Sequence, residues 1–254
     1  MFIDWNAYKV ATCMDKIKKY FDDFTFHARV MPILVMLLPI IILGCIKGII
    51  KTDFMETTLY IVISLIFLTL MSKFARNRGK KYEKKMYRDL GGKPTTILMR
   101  FSDNTINNIS KRKYHERLND LIKEIKLPLS LSEESVKSDK LYEAAINWLR
   151  NYANTNREKE FRVYQELKEY NFWRNLYGIK PIALGLYGII ALRECCMIKD
   201  FNLLLMIKTP YPQYVSFWCM IISVLIVIFT VNKKVVNDKA FDYASTLIEV
   251  CETI

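Results

Sequence analysis

The chain has 254 residues, of which 52% are hydrophobic and 25% are charged, and its formal net charge is +12. Uncharged runs alternate with strongly charged ones, a segregation that disfavours an ordinary soluble globular domain. The positive charge is concentrated, because residues 73–100 have a net charge of +8 whereas residues 30–72 and 181–254 each have a net charge of zero. The six cysteines show no CxxC spacing, so we expect reduced thiols and neither a disulfide framework nor a zinc site.

Four apolar runs are candidates for membrane spans. They cover residues 30–46, 57–72, 178–198 and 213–232. A spanning helix needs about 20 mostly apolar residues. The first and last runs meet this directly, whereas the third contains Lys180, Arg193 and Glu194 and spans only if these charges lie at the membrane surfaces. The runs predict four spans, and the alternative is two spans with two buried core helices.

The segment that follows the second run predicts the orientation of the chain. KFARNRGKKYEKKMYR, residues 73–88, carries eight Lys or Arg against one acid, and such segments remain cytoplasmic. We interpret it mainly as a marker of the cytoplasmic side. With four spans, both termini are also cytoplasmic, and no signal peptide is expected. The predicted plan is a cytoplasmic N-terminal segment (1–29), a first transmembrane pair (30–72), a cytoplasmic helical domain (73–177), a second transmembrane pair (178–232) and a cytoplasmic C-terminal segment (233–254).

The predicted fold class is all-α, a multi-pass transmembrane helix bundle with a central cytoplasmic helical domain. Apolar residues at helical spacing predict a helix over 111–126. Asp139 is expected to cap a second helix, and a capping box at Thr155 to open a third. That third helix continues into the third apolar run, with a kink or a restart at Gly178 and Pro181. No segment shows the alternation of a strand.

Catalysis has little support in the sequence. The two histidines, His27 and His115, form no metal-binding pattern, and no Walker loop, GxGxxG or GxSxG motif occurs. We therefore expect no enzymatic activity, no cofactor and no metal.

The first candidate ligand-binding segment is LGGKPTT. Its candidate residues are Gly91, Gly92, Lys93 and Thr95. Two glycines can turn the chain so that successive N–H groups face one anion. The alternative is a helix C-cap followed by a proline stop, which uses the same residues and is the commoner arrangement.

The second candidate set is a later group of cations. It comprises Arg100, Lys111, Arg112, Lys113, His115 and Arg117. Topology explains basic residues only within about 15–20 positions of a span, and this group lies further along the chain. Phosphate binding is one interpretation, and a solvated helix face is the other. Phe101 and Tyr114 could stack on a base or belong to the core.

Arg193 and Glu194 near the end of the third run are the last candidates. Charge at membrane depth usually faces a bundle interior or water. The pair either extends to the outer interface or lies in the mouth of a pore.

The order of these motifs resembles a family. Two spans, a basic helix, LGGKPTT, KRKYHERL, YEAAINWLR and NFWRNLYGIKP before a second span pair are similar to small bacterial multi-pass membrane proteins of antiphage defence loci, signal-gated effectors of the Hailong-like kind. The resemblance implies a bacterial inner-membrane homo-oligomer. It also implies that a nearby nucleotidyltransferase makes an anionic nucleotide or oligonucleotide signal, and that the effector binds it in the cytoplasm and conducts ions, which depolarises the cell.

Two other functional classes are compatible with the sequence. One is a non-conducting membrane scaffold that recruits a soluble partner through its cytoplasmic helices. The other is a small transporter, which the absence of an ionisable relay in the clean first and fourth runs disfavours.

Overall fold

A computed structural model of the chain describes residues 22–46, 54–197 and 212–254. Within these ranges the chain is helical and contains no strand, which confirms the all-α class. Three segments, 1–21, 47–53 and 198–211, lie outside the described residues. They include most of the predicted N-terminal segment and most of the connections expected on the outer side of the membrane.

We number the helices in chain order. They are α1 (Met31–Ile46), α2 (Phe54–Asp89), α3 (Pro94–Met99), α4 (Asn108–Leu121), α5 (Ser138–Thr155), α6 (Phe161–Met197), α7 (Pro212–Thr230) and α8 (Lys233–Glu249). A short turn, Asp23–Thr25, and a π-helical turn, Phe26–Val30, lead into α1. Two 3₁₀ turns, Leu131–Glu133 and Val250–Glu252, complete the described helical elements.

Three predicted helix boundaries are wrong. Asp139 does not cap α5, because the helix begins at Ser138 and Lys137 is its N-cap residue. The helix expected to reach residue 126 ends at Leu121. The predicted capping box at Thr155 does not start a helix, because Thr155 is the last residue of α5 and its hydroxyl donates to the Asn151 carbonyl at 3.0 Å. The next helix begins six positions later, at Phe161. A Thr hydroxyl can bond backward within its own helix as readily as it caps a following one.

Helix α6 is continuous through Gly178 and Pro181, so the expected restart does not occur. Proline removes one hydrogen bond from a helix interior. Neighbouring helices can compensate for that loss in a membrane protein.

The described chain belongs to two compact units. The apolar unit consists of Met1–Lys80 and Asn171–Asn232, and the polar unit of Lys81–Tyr170 and Lys233–Ile254. Two of the boundaries between the units fall inside helices. One lies between Lys80 and Lys81 in α2 and the other between Tyr170 and Asn171 in α6, so each of these helices supplies residues to both units.

The apolar unit is hydrophobic inside and outside. Its core combines residues of α1, α2, α6 and α7, including Met36, Ala75, Tyr187 and Met220. The outward faces of these four helices carry large apolar side chains as well. They include Val35, Leu38, Ile66, Phe67, Leu186, Ile189, Ile222 and Phe229. A surface of this composition is typical of helices surrounded by lipid.

Two described helical segments are long and apolar enough to cross a membrane, Asp23–Gly44 and Phe161–Met197. A third candidate combines Tyr214–Thr230 with Lys233–Glu252, two segments bent by 46° relative to each other. The described residues therefore hold two or three candidate spans.

The polar unit has a separate core. Helix α8 packs against α3 and α5, and α3 also packs against α5. Leu98, Leu118, Leu149 and Leu247 are each almost completely buried there. The C-terminal segment, expected from sequence as a separate element, thus contributes a helix to this core.

Candidate anion-binding site in the polar unit

The glycine turn after α2 is a helix cap. Gly91 has a φ of 73°, in the left-handed region that glycine adopts at little cost. Its N–H donates to the Arg88 carbonyl at 3.2 Å, and the N–H of Gly92 donates to the Tyr87 carbonyl at 2.9 Å. This pair of bonds is the Schellman ending of a helix. Both amides are satisfied by the helix they terminate, and the Thr95 side chain of the same motif is buried.

Arg100 fastens this turn to the start of α5. Its Nε and Nη2 donate to the two carboxylate oxygens of Asp139 at 2.9 and 2.7 Å, and Nη2 also donates to the Gly91 carbonyl at 3.0 Å. The hydrogen bonds to Asp139 raise the pKa of Arg100. Lys93 is paired too, with its Nζ 3.0 Å from Glu143 Oε2. Arg100 and Lys93 therefore each form an ion pair with an acidic residue of α5.

Lys111 lies inside the polar unit. Its side chain is 1% exposed, and Nζ donates to the Arg100 carbonyl at 2.6 Å and to the Asp103 carbonyl. The Asp103 carboxylate is 3.8 Å away. Burial lowers the pKa of Lys111. The ammonium group thus orders the turn between α3 and α4 and is not exposed to a ligand.

His115 is also a core residue. Its Nδ1 lies 2.6 Å from the Pro128 carbonyl oxygen. The centroid of its ring lies 5.1 Å from that of Phe101, in an edge-on contact, and 5.3 Å from that of Tyr142. Burial lowers the pKa of His115, which favours the neutral ring with Nδ1 as donor. Phe101 and Tyr114 are buried, each 5% exposed. None of these rings is available to stack on a base, and the buried His115 cannot contact a ligand at the surface.

The remaining candidate cations lie on α4. Arg112 is exposed and pairs within its own helix, with Nε 3.0 Å from Glu116 Oε1. Lys113 is exposed and Arg117 is half-buried. In the described ranges neither of these two forms an ion pair. Lys113 and Arg117 are therefore what the structure leaves open from the sequence-predicted set.

A second group of cations occupies the last two turns of α2. Lys81, Lys84, Lys85 and Arg88 are all exposed, and their spacing of three and four positions puts them on one helix face. None of the four is ion-paired to any residue that the structure describes. We call this set the α2 stripe. The spacing was visible in the sequence, but the charge was attributed mainly to topology.

The opposite face of the same two turns is anchored. Met86 is 3% exposed. The Glu83 carboxylate accepts hydrogen bonds from the hydroxyls of Tyr170 at 2.7 Å and Tyr87 at 3.1 Å. Burial, with the charge of Glu83 as a smaller contribution, raises the pKa of Tyr87 to about 12. The α2 stripe therefore projects from a helix end that the polar unit holds in place.

Arg193 and Glu194 differ in environment. Within the apolar unit, the Arg193 side chain is 67% exposed and that of Glu194 is fully buried, with 4.0 Å between Arg193 Nη1 and Glu194 Oε1. The two side chains thus point in different directions from the end of α6.

Sequence reasoning missed a close helix crossing in the apolar unit. A Cβ built on Gly178 would lie 2.9 Å from the Gly79 Cα, so α2 and α6 touch through their backbones. Beside this contact, Asn175 Nδ2 donates to the Ala28 carbonyl at 2.7 Å, and the Arg174 guanidinium reaches Asn175 Oδ1 at 3.4 Å. The sequence signal was Gly178 itself, which was interpreted as a kink.

Metal chemistry finds no support in the described residues, where no group of three or more His, Cys, Asp or Glu side chains is placed to hold an ion. Comparison of the chain with protein-family models, with curated proteins and with solved structures found no match.

Proposed function

We propose that this chain is an oligomeric membrane effector of the bacterial inner membrane, which binds an anionic nucleotide or oligonucleotide signal in the cytoplasm and gates an ion-conducting pore. The observation that carries the proposal is the division into an apolar unit with a hydrophobic outer surface and a polar unit with exposed, unpaired cations. The first suits a lipid environment and the second suits an anionic ligand. The resemblance to signal-gated effectors of antiphage defence supplies the biological setting, with a nucleotidyltransferase as the source of the signal.

Four spans are part of the proposal. α1 and α6 satisfy length and apolarity directly. α7 has 19 residues without a charge, and exposed Ile66, Phe67 and Leu70 give α2 a lipid-compatible face. The basic residues after Ser72 support a cytoplasmic location for the polar unit and, with four spans, for both termini. Arg193 and Glu194 would lie at the outer mouth of the pore.

Coupling between ligand and pore would use α2 and α6. Each helix is uninterrupted and supplies residues to both units. A ligand opens such a pore only if it binds the open arrangement more tightly than the closed one. We propose that the signal binds a subset of polar-unit conformations and that the two continuous helices transmit this preference.

Reconstitution tests this function. Purified full-length protein in liposomes loaded with a potassium-sensitive dye should leak potassium only after addition of short oligonucleotides. Liposomes with no protein, and proteoliposomes with inorganic phosphate alone, serve as controls. A silent membrane with every nucleotide class, although the protein is inserted and folded, would contradict the channel assignment.

A second candidate function, a non-conducting scaffold, is favoured by exposed apolar side chains in the polar unit. Ile109 is 79% exposed, Leu131 61% and Val136 98%. Exposed apolar residues on an otherwise polar surface are typical of protein contacts. A soluble partner that co-purifies with the wild type and is lost from an I109S/L131S/V136S variant, together with a silent liposome assay, would favour the scaffold.

A further inference from the structure

We propose that the α2 stripe (Lys81, Lys84, Lys85 and Arg88) is the surface that binds the phosphate chain of a linear oligonucleotide. The inference rests on the proposed function, because it identifies the site of the anionic signal and assumes that residues 57–72 span the membrane. It replaces GGKPTT and KRKYHER as the principal ligand-binding segment.

Most of the candidate groups predicted from the sequence are already engaged in contacts within the protein. The Gly91 and Gly92 amides close a helix, Arg100 and Lys93 are matched by Asp139 and Glu143, and Lys111 is buried on backbone carbonyls. These groups already have protein partners, and a ligand would have to break those contacts to reach them. The four cations of the α2 stripe need no such exchange. Lys113 and Arg117 of α4 need none either, but these two cations do not form a row of four on one helix face.

The length of the α2 stripe suits a chain of phosphates. The stripe runs from position 81 to position 88, which corresponds to about 10 Å along a helix axis. A single phosphate reaches only neighbouring members of such a row, whereas a chain of phosphates can contact all four. Buried Met86 and the Tyr170–Glu83 hydrogen bond hold the opposite face, so the row is prearranged. Prearrangement lowers the entropic cost of binding.

The four cations of the α2 stripe repel one another. Like charges three or four positions apart destabilise a helix, and among the described residues no acid pairs with the stripe. Asp89, the adjacent acid, is exposed and unpaired within the same ranges. Bound phosphates would relieve the repulsion among the four cations and release counterions to solution.

The distance between the stripe and the membrane surface distinguishes a soluble polyanion from lipid headgroups as its ligand. If the hydrocarbon region ends near Ser72, Lys84 lies about 18 Å and Arg88 about 24 Å beyond it along the helix. The headgroup layer is only about 5–8 Å thick on each side, and screening removes most attraction beyond about 8 Å. Even a strongly tilted helix leaves Arg88 outside this range. Lipid headgroups therefore suit Lys73 and its neighbours and still reach Lys81, which lies about 14 Å beyond Ser72 along the helix. The far end of the α2 stripe, Lys85 and Arg88, suits a dissolved polyanion.

The mode of recognition also follows. Tyr87, inside the stripe segment, is held on the opposite helix face by its hydrogen bond to Glu83 at 3.1 Å, and Phe101 and Tyr114 are buried. These three rings are therefore not placed to stack on a base bound at the stripe. Binding through phosphates alone tolerates any sequence. We expect the stripe to distinguish chain length far better than base identity.

The test is fluorescence anisotropy with full-length protein in detergent and a fluorescein-labelled single-stranded DNA of about ten nucleotides. Two variants carry the same change in net charge. K81Q/K84Q/K85Q/R88Q removes the stripe, and K123Q/K126Q/K137Q/K140Q removes four other exposed lysines of the polar unit. Circular dichroism and gel filtration establish that both variants are folded.

We expect the stripe variant to lose at least tenfold in affinity at low salt. The slope of log K against log salt should fall by about 3 relative to wild type, since each single-strand phosphate contact contributes about 0.7. The matched variant should retain most of the wild-type slope. Equal losses in both variants would mean long-range attraction only, and would overturn the inference.

Two further arms exclude other ligands. A nucleoside monophosphate that competes as well as the oligonucleotide, at equal phosphate concentration, would overturn the linear-chain assignment. The wild type could instead bind anionic phosphatidylglycerol vesicles through the stripe and bind no oligonucleotide. That result would assign the stripe to the membrane surface.

Oligonucleotide binding and potassium leak together distinguish failure of the binding site from failure of the proposed function. Oligonucleotide binding through the stripe without potassium leak would support the site and contradict the channel. An oligonucleotide-triggered leak that persists in the stripe variant would support the channel and contradict the site.

Discussion

Gly178 of α6 and Gly79 of α2 are in backbone contact, with 2.5 Å between the position of a Cβ on Gly178 and the Gly79 amide nitrogen. Any side chain at either position must push the two helices apart. Gly79 has a second constraint, since a Cβ there would lie 2.5 Å from Asn175 Oδ1. The crossing fixes how closely α2 and α6 approach in the apolar unit.

The first prediction concerns this contact. Gly178→Ala should destabilise the apolar unit by about 2 kcal/mol, the usual cost of overpacking a tight contact. Gly185→Ala in the same helix is the matched control, because nothing lies within 4 Å of its added Cβ. Alanine favours helix more than glycine does, so the control should be neutral or stabilising. Thermal unfolding in detergent distinguishes them, and equal melting temperatures for both variants would contradict the crossing.

The second prediction separates two neighbouring lysines. Lys111→Met should destabilise the polar unit by about 1–3 kcal/mol, because the Arg100 and Asp103 carbonyls lose their buried donor. Lys113→Met changes an exposed side chain and should leave stability within about 0.5 kcal/mol of wild type. Urea unfolding followed by circular dichroism measures both. A stable Lys111→Met protein would argue against the buried ammonium.

The third prediction is a pH dependence. Burial lowers the pKa of His115 from 6.5. Between the lowered pKa and 6.5, the imidazole is therefore protonated in the unfolded chain and neutral in the folded chain. The stabilisation is therefore complete above about pH 6.5 and is lost as pH falls through the folded pKa. His115→Gln should flatten this acid limb, measured by urea unfolding followed by circular dichroism at a series of pH values. An identical acid limb in the wild type and in His115→Gln would contradict the assignment.

The fourth prediction concerns Arg100 and Asp139. The two bonds at 2.9 and 2.7 Å require the planar guanidinium fork. A double-mutant cycle with Arg100→Gln and Asp139→Asn should give a coupling energy of about 1 kcal/mol, since both side chains are partly exposed. Arg100→Lys should recover less than half of the loss from Arg100→Gln. A coupling energy near zero would show that the pair does not hold the turn.

Binding experiments should respect this division of roles. A combined neutralisation of Lys111, Arg112 and Lys113 would mix a folding defect with any loss of ligand. Lys111 is buried, whereas Arg112 and Lys113 are exposed. Substitution of the two exposed cations alone tests their share of ligand binding without removing an internal support.

The sequence by itself determined what depends on local pattern. Uncharged runs predict apolar helices because a membrane or a core requires them, and the absence of strand alternation predicts an all-α chain. The glycine pair after α2 is likewise a local signal, and the cap alternative considered for it corresponds to the observed Schellman bonds at Gly91 and Gly92.

Only the tertiary structure decided which cations are free. Lys111 and Lys113 are two positions apart and identical in type, yet one is buried on carbonyls from another segment and the other is exposed. Arg100 and Asp139 are 39 positions apart, and no periodicity predicts their contact. Local pattern fixes the face on which a side chain lies, whereas its partner depends on distant segments that folding brings together. For that reason the charge of the α2 stripe resembled a marker of topology in the sequence, and only the packing of its neighbours left it open to a ligand.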